Sequence, residues 1–190
     1  MAKEISPYLT ISLFGSMGSK LMGVLIREYF SSDLSQVRDL ILNAENFGKP
    51  FLENEMLNIK KNTSLGLGKI FVADSNGKVV GYISLGKRVF ALMIDSIIVA
   101  SDYQRKGVGR RLVEKAREYA KSKSVNVLRT DTGTFMDYAI KFYLACGFEP
   151  CGYVENDFSL GSRQLHFFID LTKSSSNSNP TKNAASHNQG

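Results

Sequence analysis

A chain of 190 residues, 43% hydrophobic and 22% charged, is long enough for one full core and is neither low-complexity nor disulfide-dense. Its 24 Lys and Arg against 18 Asp and Glu leave a net charge of +6, which favours an anionic partner; without a basic tail or a regular Arg/aromatic pattern, nucleic acid is not expected. Cys146 and Cys151, with only His166 and His187 besides, make no zinc-binding spacing, so no metal is expected and a reduced, cytoplasmic chain is the default.

The apolar stretch from Ile5 to Ile26 is broken by Pro7, Gly15, Gly18, Lys20 and Gly23, so it is no membrane span and no membrane partner is expected. Lys3 and the Leu9–Phe14 run imitate a secretory signal. The reading adopted is a poorly ordered extension over 1–21, a domain over 22–172 and a disordered Ser/Asn-rich tail over 173–190. Within the domain, Val24–Tyr29 is a strand, and Ser31-Ser32-Asp33 caps a helix whose apolar positions are Leu34, Val37, Leu40 and Ile41. Gly48-Lys49-Pro50 breaks it before a second helix over Leu52–Asn62. Ile70–Asp74 and Val79–Leu85 form a hairpin around Asn76-Gly77, residues that tolerate positive φ. Phe90–Val99 is apolar on both faces apart from Asp95 and Ser96 and should be a central strand. A helix from Gly107 to Ser122, a strand over Val125–Thr130, a helix over Asp137–Cys146 capped by Gly147, and strands over Phe148–Val154 and Gln164–Leu171 complete an α/β domain with parallel and antiparallel portions.

The informative stretch is Gln104-Arg105-Lys106-Gly107-Val108-Gly109-Arg110-Arg111, between a buried strand and a helix. Cations at a helix N-terminus are unfavourable by roughly 0.3–1 kcal/mol each, a cost that makes sense where free N–H groups and glycines cradle a phosphate. A Walker loop is absent, and a G-x-G-x-x-G fingerprint fails because Leu112 stands where its third glycine would be. What remains, Gln104-x-x-Gly107-x-Gly109, resembles the [Q/R]-x-x-G-x-[G/A] acyl-CoA loop of the GNAT superfamily of N-acetyltransferases. Ile97-Ile98-Val99 and Tyr103 match the strand and loop before it. Downstream, Ala139-Ile140-Lys141-Phe142-Tyr143-Leu144-Ala145-Cys146-Gly147-Phe148 resembles the family's A-x-x-[F/L]-Y-x-x-x-G-F segment.

The resemblance covers about Met22 to Thr172 and implies a mixed, mostly antiparallel sheet with helices on both faces. It implies that acetyl-CoA binds as co-substrate. The backbone of Ile97, Ile98 and Val99 would pair with the pantetheine arm, beside a splay between the central strand and the next. Gln104, Arg105, Lys106, Gly107, Val108, Gly109 and Arg110 would hold the pyrophosphate. Tyr143 would lie beside the sulfur as general acid, a role suited to a phenol that stays protonated at neutral pH. The acceptor would be a primary amine on a small molecule, a polyamine or a protein N-terminus. Its base is expected to be Asp95, in the central strand between apolar neighbours; Asp131, Asp137, Glu155 and Asp157 are the other acids that could line the acceptor site. Many members carry an Asn seven residues before the tyrosine. Here that position is Met136, so Thr132 or Thr134 would have to replace the contact. Neither cysteine has an evident base, so direct transfer in a ternary complex is expected over an acetyl-cysteine route. A homodimer is allowed. The alternatives are a non-catalytic acyl-CoA-binding module on the same fold and a nucleic-acid-binding protein drawn on the positive charge.

Overall fold

The computed structural model describes residues 23–44, 49–157 and 160–173, with 49 and 50 as backbone only. The extension 1–21 and the tail beyond Lys173 lie outside the described residues. Among the described residues no helix is long and apolar enough to cross a membrane.

Seven strands form one sheet in the order β1-β2-β3-β4-β5-β7-β6. β1 (Val24–Glu28), β2 (Gly68–Ser75), β3 (Lys78–Lys87) and β4 (Leu92–Val99) run antiparallel in turn. β4 and β5 (Val127–Gly133) are the parallel pair; β5 then pairs with β7 (Arg163–Asp170), and β7 with β6 (Glu149–Glu155), both antiparallel. The expected hairpin is present. Asn76 and Gly77 have φ of 52° and 85°, and the Gly77 N–H donates to Asp74 Oδ1 at 2.7 Å.

Helices cover both faces. α1 (Leu34–Leu42) and α2 (Lys49–Ser64) close one core with Val72, Val79, Tyr82 and Ile98. α3 (Val108–Ser122) and α4 (Asp137–Ala145) close the other with Phe71, Ile83, Leu85, Leu128 and Phe167. α1 is anchored by Asp33, which is buried yet satisfied: it accepts from Arg27 at 2.7 and 2.9 Å and from the Phe30 N–H at 2.8 Å. Arg27 also reaches Asp74 on β2.

The bounds of α2, β4 and β5 differ from expectation for physical reasons that the structure shows. α2 begins at Lys49 rather than Leu52, because Pro50 falls in a first turn, where a missing N–H costs nothing. β4 begins at Leu92, not Phe90; Val89 and Phe90 stand in solvent, and the strand alternates buried and half-buried positions instead of being dry on both faces. β5 starts two residues late and runs three residues further, to Gly133. The Val125 N–H still caps α3 by donating to Ala120, and the pairing with β7 continues to Gln164. That extension brings Asp131 into the sheet.

Candidate active site

β4 and β5 are in register only at Leu92–Leu128 and Met93–Arg129. Beyond Met93 the two strands separate, and β4 presents an open edge in the middle of the sheet. The Ala100 N–H donates to the Val80 carbonyl at 2.9 Å, which fixes the antiparallel alternation: Ile98 turns its backbone groups to β3, and Ile97 and Val99 turn theirs to the open edge. The pantetheine-binding edge expected over Ile97, Ile98 and Val99 therefore narrows to Ile97 and Val99. Even there one acceptor is engaged, since Gln104 Nε2 donates to the Val99 carbonyl at 3.0 Å. Gln104 thus latches the loop to the end of β4.

The loop reaches α3 through two left-handed residues, Arg105 at φ 56° and Gly107 at φ 82°. The left-handed region is rare for a residue with a Cβ and easy for glycine. The first intrahelical acceptor is the Gly107 carbonyl, which takes the Arg111 N–H at 3.1 Å, so the N–H groups of Val108, Gly109 and Arg110 are the helix's unpaired donors. Val108 is buried in the core, and its role in the cradle is that of its backbone. Gly109 has a second reason to be glycine: a Cβ there would stand 3.1 Å from the Phe142 ring on α4.

The cations divide into two groups. Arg110 donates to the Ala145 carbonyl at the end of α4, 2.9 Å away, and Arg111 to the Val24 carbonyl of β1 at 2.8 Å. Both tether α3 to neighbouring elements. Lys106 folds back to the Asp102 carbonyl and lies over the Tyr103 ring. Arg105 and Lys106 are exposed beside the free N–H groups and are the cations available to an anion there. Charge that the sequence reading assigned wholly to a phosphate is thus partly structural.

Tyr143 sits on the α3/α4 side of the sheet. Its ring packs against Phe142, Phe148 and Phe167 at 5.4–5.8 Å between centroids, and only 6% of the residue is exposed. Burial pushes the phenol up to about 12, opposed by the Thr130 hydroxyl and helped by the Asp131 charge. It is therefore protonated throughout the neutral range, as a general acid must be. Met136, at the start of α4, receives the Thr132 hydroxyl on its sulfur at 3.4 Å; Thr132 is buried, whereas Thr134 is exposed. Of the two threonines proposed to replace the missing Asn, Thr134 is the accessible one. Burial pushes the Cys146 thiol up, away from the thiolate, while Cys151 is exposed. Neither supports a covalent route.

The opposite face carries the acids. Residue Asp95 is the extra residue of a bulge: Ser96 pairs with Ser84 and Ile94 with Leu85, leaving it between them. It points toward α2. Arg88 donates to its Oδ1 at 2.8 Å, and a Cβ on Gly86 would collide with its Oδ2, so Gly86 makes room for it. Burial pushes the Asp95 carboxyl up, and Arg88 and Asn62 pull it back. Asp131 alternates with the buried Thr130 and Thr132, so it faces away from Tyr143. Burial raises its pKa too; His166, its cross-strand partner on β7, opposes the rise, and Asp157 and Asp95 add to it. Asp137 is exposed in the first turn of α4, and Glu155 is an exposed partner of Arg163; neither joins this group. Residues that sequence reasoning missed complete the face. Glu55 on α2 is only 1% exposed, and it neighbours Asp95 and Tyr82. Asn62, also buried, donates to Ser84 Oγ at 3.1 Å. The available signal was the helical stripe itself: Leu52, Glu55, Ile59 and Asn62 follow 3.6-residue spacing, which puts two polar residues on the buried side.

A sheet split between two parallel strands, a helix N-terminus with free donors beside it, a buried phenol on one face and half-buried carboxylates on the other make up the candidate site. The sequence pattern of the Acetyltransferase (GNAT) family matches residues 34–148, and the chain belongs to that family. An uncharacterised N-acetyltransferase of Methanocaldococcus jannaschii is 36% identical over 87 residues, 42% of this chain and 38% of the relative, so the match spans little more than a third of that protein. A ribosomal-protein-alanine N-acetyltransferase from Brucella melitensis superposes with a TM-score of 0.64 at 26% identity, over 77% of this chain and 99% of the other. A Salmonella typhimurium protein solved with its cofactor acetyl-CoA superposes with a TM-score of 0.62 at 18% identity, over 81% and 97% of the two chains.

Proposed function

We propose that this chain is an acetyl-CoA-dependent N-acetyltransferase acting on a primary amine by direct transfer in a ternary complex. The observation that carries this reading is the separation of β4 from β5 beyond Met93, with Tyr143 on one side of the gap and Asp95 and Asp131 on the other. A thioester lying in the gap would have a proton donor on one face and anions on the other. Two donors, the Ile97 and Val99 N–H groups, face the gap and suit the pantetheine amide and the thioester oxygen. The N–H groups of Val108, Gly109 and Arg110, with Arg105 and Lys106, suit the pyrophosphate.

The acceptor enters as an ammonium ion. Asp95 and Asp131 would attract it, and once its nitrogen is neutral it attacks the thioester carbonyl. The carbon–sulfur bond breaks as the amide forms, Tyr143 gives its proton to the departing thiolate, and the proton that the nitrogen sheds on becoming an amide returns through solvent to the Tyr143 oxygen. Asp95, held by Arg88, would serve as an anchor for the ammonium, and its raised carboxyl keeps it a candidate base as well. The Brucella relative's name suggests an alanine N-terminus as one acceptor to try.

The test is free-thiol release from acetyl-CoA with an alanine-initiated peptide, spermidine and a small aliphatic amine. At least one is expected to raise release about 10²-fold or more above hydrolysis, the scale of positioned acid–base catalysis. Acetyl-CoA binding without release for any amine would favour the non-catalytic module.

A further inference from the structure

Glu55 is a charged residue in an apolar setting with no role in the chemistry above. It lies on the α1/α2 side of β3 and β4, 1% exposed, and its Oε1 has no hydrogen-bond partner among the described residues. A buried carboxylate oxygen without a donor is costly unless the group exchanges a proton. Its surroundings are specific. Asn58 of its own helix and the Tyr82 hydroxyl of β3 stand next to it. That hydroxyl stands 2.8 Å from Ser96 Oγ on β4. Tyr82 and Ser96 are themselves buried. Either oxygen can donate in the Tyr82–Ser96 contact; when Tyr82 turns its proton to the Glu55 carboxylate, which only accepts, Ser96 is the donor to Tyr82. In that arrangement the protons run in one direction, from Ser96 to Glu55. Ser96 lies between Asp95, the proposed ammonium anchor, and Ile97, whose backbone faces the open edge.

We propose that Ser96, Tyr82 and Glu55 form a relay that carries the proton of the acceptor ammonium out of the gap, with Glu55 as its terminus. The inference rests on the N-acetyltransferase reading. The ammonium gives a proton to Ser96 Oγ as Ser96 passes its own to the Tyr82 oxygen and Tyr82 passes its own to the Glu55 carboxylate. Both hydroxyls are restored, Glu55 is neutral, and the amine keeps the electron pair it uses in attack. After the amide forms, Glu55 returns its proton to solvent along the same path. Burial and the Asp95 charge push the Glu55 carboxyl up to about 7, so it can both accept and release a proton near neutrality. Tyr82 is pushed far above its ordinary value by burial and the Glu55 charge, so it passes protons without being left ionised. Asn62, Ser84 and Arg88 complete the polar groups facing this cluster, and among them Arg88 alone is charged.

The experiment measures kcat and KM against pH for the wild type, Glu55→Gln, Tyr82→Phe and Ser96→Ala, using whichever of the three amines above supports thiol release. The wild type should show an acidic limb centred near pH 7. All three variants should lose that limb and fall about 10-fold or more in kcat, with KM for acetyl-CoA unchanged. Glu55→Asp should restore the limb in part, which a purely structural role would not produce. Profiles for Glu55→Gln and Tyr82→Phe that superimpose on the wild type would overturn the relay alone. A fall in Glu55→Gln with none in Tyr82→Phe would overturn the path through Tyr82. No thiol release with any of the three amines would overturn the N-acetyltransferase reading, and the relay with it.

Discussion

Tyr143→Phe is expected to lower kcat by about 10²-fold or more while leaving acetyl-CoA affinity unchanged. The reasoning is local. Removing one oxygen preserves the ring and its packing against Phe142, Phe148 and Phe167, so the core and α4 should stay where they are. What disappears is the proposed proton donor. A positioned acid is worth typically 10²–10⁴-fold, and the phenol, held near 12, is protonated at every pH at which the enzyme would work. An alkaline limb attributable to Tyr143 should therefore lie near 12. A kcat for Tyr143→Phe within twofold of the wild type would remove the acid role and leave Tyr143 a packing residue.

Glu55→Gln is expected to stabilise the fold, and the gain should depend on pH. In the native state burial lifts the Glu55 carboxyl from 4.5 to about 7. The folded protein then binds a proton more tightly than the unfolded chain, so stability is lost as pH rises between those values. Below about 4.5 the carboxyl is neutral in both states and costs nothing. Above about 7 it is ionised in both, and the full burial penalty of about 3 kcal/mol applies. The amide of Gln carries no such charge. Urea unfolding should therefore give nearly equal stabilities for the two proteins at pH 4.5 and a variant more stable by about 3 kcal/mol at pH 8. A difference that does not change with pH would mean that Glu55 is not the buried, proton-exchanging group described. Loss of activity together with gain of stability is the pattern of a residue kept for function.

These two residues mark how far the sequence could be read. Tyr143 was legible because its segment is short and contiguous: Ala139, Phe142, Gly147 and Phe148 surround it at fixed spacing on one helix and its cap. Gln104, Gly107 and Gly109 were legible for the same reason, as one turn between a strand and a helix. The family and the sheet architecture followed from those two segments and the element order. Glu55 was not legible, because its partners Tyr82 and Ser96 lie 27 and 41 positions away on other elements, and its own helix has a weak apolar stripe. Only its place on the buried side of α2, with Asn62, could have drawn notice. The sequence marks Asp131 as a possible acid but not as a strand residue, since β5 is lengthened by pairing with β7 rather than by any local signal. The double use of the loop's positive charge was also hidden. Arg110 and Arg111 bond carbonyls 35 and 87 positions away, and no local pattern distinguishes them from Arg105 and Lys106.

The acyl donor is expected to lie along β4 in the gap beside β5. Amide hydrogen exchange, residue by residue, tests it most directly. The Ile98 and Ala100 N–H groups are already committed to β3, whereas those of Ile97 and Val99 face the gap unpaired. Saturating acetyl-CoA should slow exchange at Ile97 and Val99, and at Val108, Gly109 and Arg110 at the start of α3, with little change at Ile98 and Ala100. Unchanged exchange at Ile97 and Val99 in the presence of bound acetyl-CoA would contradict the account.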